Sequence, residues 1–401
     1  MKHEAARNQG PGNAALFRPE GSVIRRGGRS LNDERPPLLY RLKRSIEVYP
    51  APDGSIHLIN DGLGTYFQIA DPTESDRRVL RILGEGFVTR DRIFNELIES
   101  GLDPSTLDIS LTELTRSGHL ETRTGEADLD ARSAERFDRQ LIYFSDICEP
   151  GESGEALQLK LGESKIVILG CGGLGSWTAC GLACAGVGEL VLIDDDYVEL
   201  SNLNRQLLFR ESDIGEAKVE AAGFALSNYD TTLRVTPVRR RVESAGELIE
   251  LMDGADLLIA TADWPPYELS RWVNEASLET GVPYLSAGQF PPLIRVGPMV
   301  IPGRTSCLTC QERAASRDYP MYDELAAFRS GNESTASTLG AASGMIGTIM
   351  SMEAIHLLTG AVEPATLDRV MLMDLRTLTT EFETIVRDPD CACSRVRVPA
   401  A

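Results

Sequence analysis

Apolar residues recur along this chain in more than one rhythm, and each rhythm predicts a different element. From Ser45 they alternate over Ile46–Tyr49, Ser55–Ile59 and Thr65–Ile69, with Pro-Asp-Gly and Asn-Asp-Gly-Leu-Gly in the breaks. Period two with Gly and Asp between runs predicts three short strands joined by turns. The spacing then changes to three and four over Ser75–Gly84, Thr89–Ser100 and Pro104–Gly118, which predicts three helices, and His119-Leu-Glu-Thr-Arg follows as a last strand. Together these make a small winged-helix-like α+β unit.

A second region opens at Lys165. An apolar strand (Lys165–Leu169) runs into a glycine turn (Gly170, Gly172, Gly173, Gly175), then a small-residue helix, a second apolar strand (Glu189–Ile193) and a cluster of acids. That order predicts a nucleotide-binding βαβ half in which N–H groups at a helix start face a phosphate. Apolar runs at Ala255–Ala260 and Ile294–Ile301, a long helix over Ser337–Thr359 and edge strands at Arg369–Asp374 and Thr379–Val386 complete the pattern. The expected fold class is α/β: a Rossmann-like, doubly wound, mainly parallel sheet preceded by the winged-helix-like unit. The expected divisions are a disordered tail over 1–37, the small domain over 38–120, a polar linker over 121–134 and the large domain over 135–401.

At 401 residues the chain exceeds one average domain, and 42% hydrophobic residues suffice for sizeable cores. A net charge of -20 argues against a nucleic-acid groove or an anionic-membrane surface, since either needs a basic face. Residues 1–45 run the other way, with ten Lys or Arg against four Asp or Glu, and read as a solvated basic tail. No run of 18 apolar residues and no signal-peptide core occurs, so a cytoplasmic location is expected. Of the eight cysteines, Cys148, Cys171, Cys180 and Cys184 read as small core residues. Cys307, Cys310, Cys391 and Cys393 form two close pairs that suggest a metal in a reducing compartment.

The glycines alone leave two chemistries open. Gly170, Gly172 and Gly175 fit G-x-G-x-x-G, and Asp194 lies 19 residues after Gly175, which suits a dehydrogenase and an ATP-using enzyme equally. Five ordered motifs separate them: RFDRQL from Arg136, GCGGLGS, DDDYVELSNLNRQ, DIGEAKVE and ATADWP. Over residues 135–395 they resemble the ubiquitin-activating-enzyme superfamily. Its ThiF-type bacterial members include adenylyltransferases of molybdopterin and thiamine sulfur carriers and microcin C-type peptide adenylyltransferases. The resemblance implies attack by a carboxylate on the α-phosphorus of ATP, with release of pyrophosphate. Asp194 then holds the ribose, the glycines admit the nucleotide, Asp196 and Asn202 shape the pocket, and Arg205 and Lys218 meet the phosphates. The resemblance also implies that Asp263 binds Mg²⁺ and that Arg139 is donated across a homodimer interface. Singly, Arg205 or Lys218 is a solvated charge and Asp263 a helix cap; together, in the family's order, they read as a site. Where many relatives have Asn after this Asp, Trp264 stands here, which implies a different substrate pocket.

Residues 38–120 resemble the precursor-peptide recognition domain of ribosomal-peptide modification systems, through LINDGLGTYFQI and LRILGEGFVTRDRIFNEL. That implies a peptide added as a strand on the exposed sheet edge beside the third helix. His57 and His119 read as core or surface residues. The cysteine pairs imply a structural Zn²⁺ site, with Cys393 in question because Cys391-Ala-Cys393 is one residue shorter than the family's C-x-x-C. The polar segment 311–335 holds no cysteine, which disfavours a thioester, and His356 reads as core or interface. The expected function is ATP- and Mg²⁺-dependent adenylylation of a carboxyl or carboxamide of a short ribosomal peptide. AMP either stays attached or leaves in a cyclisation. The alternatives are a sulfur-carrier adenylyltransferase and a peptide-presenting scaffold.

Overall fold

The computed structural model describes residues 37–125, 129–330 and 337–395, so the expected basic tail lies, but for Pro37, outside the described residues. The described residues form one compact unit, within which two lobes have separate cores.

The N-terminal lobe comprises β1 (Leu38–Leu42), β2 (Glu47–Pro50), β3 (Ile56–Asn60), β4 (Thr65–Ile69), α1 (Glu74–Glu85), β5 (Val88–Thr89), α2 (Arg90–Glu99), α3 (Leu107–Arg116) and β6 (Leu120–Thr124). β2, β3 and β4 form the expected antiparallel meander, with Gly54 and Gly64 at positive φ in its turns. β1 is a strand the alternation does not reveal: it lies between β5 and β6 in a second sheet. Thr73 starts α1 with a capping box to Asp76. The apolar helix faces meet β3 in a core of Leu58, Ile82, Leu83, Ile93, Leu97 and Leu107. His119 is buried beside Phe67, and His57 lies between Tyr49 and Tyr66.

The C-terminal lobe comprises α4 (Ala131–Arg136), α5 (Asp138–Ile147), α6 (Gly154–Glu163), β7 (Lys165–Leu169), α7 (Gly173–Ala185), β8 (Glu189–Ile193), α8 (Lys218–Tyr229), β9 (Arg234–Val238), α9 (Ala245–Leu251) and β10 (Leu257–Ala260). It continues with α10 (Glu268–Thr280), β11 (Tyr284–Phe290), β12 (Leu293–Val300), α11 (Leu308–Asp318), α12 (Tyr322–Ser330), α13 (Gly340–Thr359), β13 (Arg369–Asp374) and β14 (Thr379–Thr384). One eight-stranded sheet runs β14-β13-β12-β11-β10-β7-β8-β9. The five strands from β11 to β9 are parallel and the other three antiparallel. The chain winds from β7 outward through β8 and β9, then returns to the other side of β7 with β10. That reversal opens a crevice at the carboxyl ends of β7 and β10, where α/β sheets keep ligands. Helices α6, α7 and α13 cover one face around Ile166, Ile168 and Leu192; α9 and α10 cover the other around Val167, Leu258 and Val273.

Three expectations change. The stretch 121–134 does not begin as a linker: Glu121–Thr124 belong to β6, and α4 starts at Ala131. Its polar letters mislead because Glu121 and Thr122 are buried against the second lobe. The Glu121 carboxylate accepts from Arg41, from Ser145 Oγ (2.8 Å) and from Gly154 N at the start of α6 (2.7 Å). Arg44 pairs with Asp138, and Ser45 and Asn60 donate to Asp146, so the lobes are joined along α5. The polar segment 311–335 forms α11 and α12 over its described part. The long helix starts at Gly340 rather than Ser337, because Thr338 Oγ1 donates instead to Gln289 Oε1 (2.7 Å). α13 is long and apolar enough by composition to cross a membrane (mean hydropathy 1.2). Here its glycines seat it on α7: a Cβ on Gly347 would stand 2.5 Å from Trp177 Cβ. His356 on it is half-buried near Glu353, and burial holds its imidazole below the usual range.

Candidate active site

The carboxyl ends of β7, β8 and β10 meet at the glycine turn, and two of its glycines have no room to be anything else. Gly170 has φ +98, and a Cβ on it would stand 2.6 Å from Ala262 N, just past β10. A Cβ on Gly175 would stand 1.8 Å from the Gly170 carbonyl oxygen. Thr261, visible only as a letter of the ATADWP motif, donates its hydroxyl to Gly170 O (2.8 Å) and so ties the turn to β10. Gly172 precedes α7 and faces open space, with Gln206 Nε2 the nearest side-chain atom to a Cβ built there, at 3.9 Å. Gly173 lies against Ser343 Oγ and the aliphatic stem of Arg205. The first turn of α7 therefore carries no side chain of its own at Gly172 and Gly173 and has Arg205 beside it, an arrangement that accepts an anion.

The acids after β8 are wired to that turn. Asp194 accepts from Cys171 N (2.6 Å) and Asp196 N (2.9 Å). Its burial raises its carboxyl above the usual range, although the Lys218 charge pulls the other way. Lys218, buried at the first turn of α8, donates to Asp196 Oδ2 (2.8 Å). Asn202 is buried and accepts from Glu199 N (3.0 Å). Arg205 donates to Ser201 O (2.8 Å) and Asn204 Oδ1 (3.0 Å). Trp177 Nε1 donates to Arg205 O (3.0 Å), and a Cβ on Gly340 would strike Asn204 O, so α7 and α13 both brace this loop. Gln206 is buried with its Oε1 unpaired among the described residues. It was visible only as a letter of the DDDYVELSNLNRQ motif.

Asp263 and Trp264 follow Ala262 at the same edge, both exposed. The structure thus gathers Gly170, Gly172, Gly173, Gly175, Asp194, Asp196, Asn202, Arg205, Lys218 and Asp263 about one turn. Arg139 is not among them. On α5, it is 94% exposed, with Asp138 at 4.0 Å.

Away from this edge, Cys307, Cys310, Cys391 and Cys393 converge, all buried, with every sulfur within 4.8 Å of the others. The Cys307–Cys310, Cys307–Cys391 and Cys310–Cys393 separations are 4.0, 3.6 and 3.5 Å. Four thiolates about 2.3 Å from one tetrahedral ion stand about 3.8 Å apart, so the donor set fits zinc. The short Cys391-Ala-Cys393 spacing is absorbed by a tight turn in which Ser394 N donates to Cys391 O (3.0 Å). Asp388 N donates to Cys310 Sγ (3.4 Å), as outer partners of thiolates do.

Comparison with known proteins matches residues 137–394 to the ThiF family. The SAMP-activating enzyme E1 of Haloferax volcanii is 31% identical over 66% of this chain and 89% of its own. The molybdopterin-synthase adenylyltransferase of Escherichia coli (strain K12) is 31% identical over 66% of this chain and 98% of its own. Among solved structures, E. coli MccB with ATP superposes with a TM-score of 0.67 at 22% identity, over 88% of this chain and 99% of that one. The microcin C7 biosynthetic enzyme MccB in complex with N-formylated MccA gives 0.68 at 22% identity, over 89% and 99%.

Proposed function

The chain belongs to the ThiF family and is an ATP-dependent adenylyltransferase, and from that premise we propose that its target is a carboxyl or carboxamide of a short ribosomally made peptide. The observation that carries this is coverage. The molybdopterin-synthase adenylyltransferase is matched over 98% of its length yet uses only 66% of this chain, whereas MccB matches 88%. What the carrier-protein enzyme lacks, and MccB has in outline, is the N-terminal lobe. In our reading residues 38–120 capture the peptide on the free edge of the meander, beside α3, and residues 135–401 activate it.

The reacting oxygen or nitrogen of the peptide forms a bond to the α-phosphorus, and pyrophosphate leaves with the electron pair of the broken P–O bond. The protein's part is alignment and charge. Asp194 takes the ribose hydroxyls, as its anchoring by two backbone N–H groups suits. Asp196 and Asn202 shape the pocket beside it. Gly170, Gly172, Gly173 and Gly175 let the backbone approach the phosphates, with Arg205 and Lys218 as cations. Lys218 must then turn from Asp196 toward the triphosphate, a short swing for a flexible stem. Asp263 would hold Mg²⁺, which supplies charge neutralisation at the phosphates. Arg139, exposed on α5, serves the site of a second copy in a homodimer. Zn²⁺ in the four cysteines is structural, since no coordination position stays open. The enzyme works in the cytoplasm, without nucleic acid or membrane.

Pyrophosphate exchange into ATP with short synthetic peptides tests this reading. Exchange is expected with peptide, and Asp263→Ala is expected to abolish it while peptide affinity stays within about twofold. Tight peptide binding with no ATP turnover for any peptide would favour a scaffold. Exchange only with a ubiquitin-like protein ending in Gly-Gly would favour the sulfur-carrier reading, which the names of the sequence relatives keep in view.

A further inference from the structure

Arg295 stands near the tip of the β11–β12 hairpin, opposite Gly288 in the antiparallel register. Its neighbours Ile294 and Val296 enter the core beneath α13, so alternation turns Arg295 to the other face, the face of Leu293 and of its partner Phe290. No hydrogen bond or salt bridge to a described residue holds its guanidinium. It faces the Glu383 carboxylate and the neutral Tyr322 hydroxyl, and burial pulls its guanidinium below the usual range. Arg41, by contrast, is fixed by two carboxylates. A half-buried cation with five donors and no hydrogen-bonded partner among the described residues keeps its fork free for one from outside.

Its position adds the direction. Ser286 pairs with Ala260 in the parallel register, so Gly288 and Arg295 lie level with Ala262 and Asp263. Two strand spacings, about 10 Å, separate β12 from β10. The rim is apolar: Phe290 is 67% exposed, Leu293 43% and Trp264 43%, and the Phe290 ring leans so close to Gly288 that a Cβ there would stand 2.6 Å from it. A planar fork in an apolar rim suits a carboxylate taken two-pronged. A residue of extended chain spans about 3.5 Å, so the carboxylate Arg295 can reach lies close in sequence to a group reacting beside Asp263.

We infer that Arg295 reads a second carboxylate on the substrate, carried by the activated residue itself or by its immediate neighbour, and thereby selects peptides with an acidic end. This rests on the peptide-adenylation reading and narrows its substrate class.

The test uses short synthetic peptides whose last two residues are Asp, Asn, Glu or Gln in all pairings, with wild type, Arg295→Gln and Arg295→Lys. Peptide binding and pyrophosphate exchange are measured separately, and melting temperatures confirm that each variant folds. Wild type is expected to prefer the acidic peptide over its amide isostere by about tenfold or more in KM. Arg295→Gln erases that preference with kcat and the KM for ATP unchanged, and Arg295→Lys restores part of it. An equal loss for acidic and amide peptides, or a rise in the KM for ATP alone, overturns the assignment. Exchange with no acidic preference leaves adenylation standing and removes the role of Arg295. Arg295-dependent binding of acidic peptides without exchange does the reverse.

Discussion

At the scale of single residues, the cysteines of α7 show how unlike two neighbours can be. Cys180 and Cys184 lie one turn apart. The neighbouring Cys180 thiol, the hydrogen bond shared with Tyr229 and the Arg136 charge lower the Cys184 thiol to about 6, while Cys180 is pushed up. Burial raises Cys148 to about 12 and Cys171 well above the usual range. Iodoacetamide at pH 7 is therefore expected to label Cys184 first among these four, with a rate near its plateau that falls about tenfold per pH unit below 6, where the thiolate is lost. Peptide mapping of the labelled protein checks this, and Cys184→Ser should remove the fast phase. The glycine turn and the acids after it were legible in the sequence because covalent spacing alone brings them together. Thr261 and Gln206 were not, because their roles come from β10 folding back beside β7 and from a side chain reaching Gly172. Such pairings have no local signature.

Among elements, the turn Ala392–Arg395 decides what spacing left open. It folds Cys393 under Cys391, so a missing residue between the two thiols is made up by backbone curvature. Metal analysis should find about one zinc per chain. Cys393→Ser should lose it and melt at a lower temperature; retained zinc would mean that three thiolates suffice. β1 escaped the sequence reading for a related reason: its partner β6 is some eighty residues away, and nothing in LLYRL marks that pairing. The seam between lobes is the other lesson. Glu121, with no exposed side-chain surface, balances Arg41 and caps the start of α6. Glu121→Gln keeps the shape and removes the charge, and is expected to destabilise the protein by about 3 kcal/mol. Denaturant unfolding measures it; a loss under about 0.5 kcal/mol would show that the neutral amide serves as well.

For the whole molecule, the α/β class follows from apolar runs and glycine spacing and the winged-helix-like lobe from its change of period, whereas the sheet order does not, because β9 and β11 and their pairings leave no mark in those runs. Shared sites are a different matter, because no single chain records them. If Arg139 serves a partner's site, Arg139→Ala and Asp263→Ala should each be inactive alone. Co-expressed, they should recover about a quarter of wild-type exchange, since half the dimers are mixed and each mixed dimer has one intact site. No recovery on mixing would place Arg139 in its own chain's chemistry or none. The seam along α5 also bears on anyone wishing to recombine such enzymes. The helix that carries Arg139 is held by Arg44 through Asp138 and by Ser45 and Asn60 through Asp146. A graft that exchanges the first 120 residues for another peptide reader would cut through a shared polar joint, leaving Glu121 without Arg41, Asp138 without Arg44 and Asp146 without Ser45 and Asn60. The natural breakpoint for a working chimera lies after α6, beyond Glu163, so that reader and bracing helices travel as one piece.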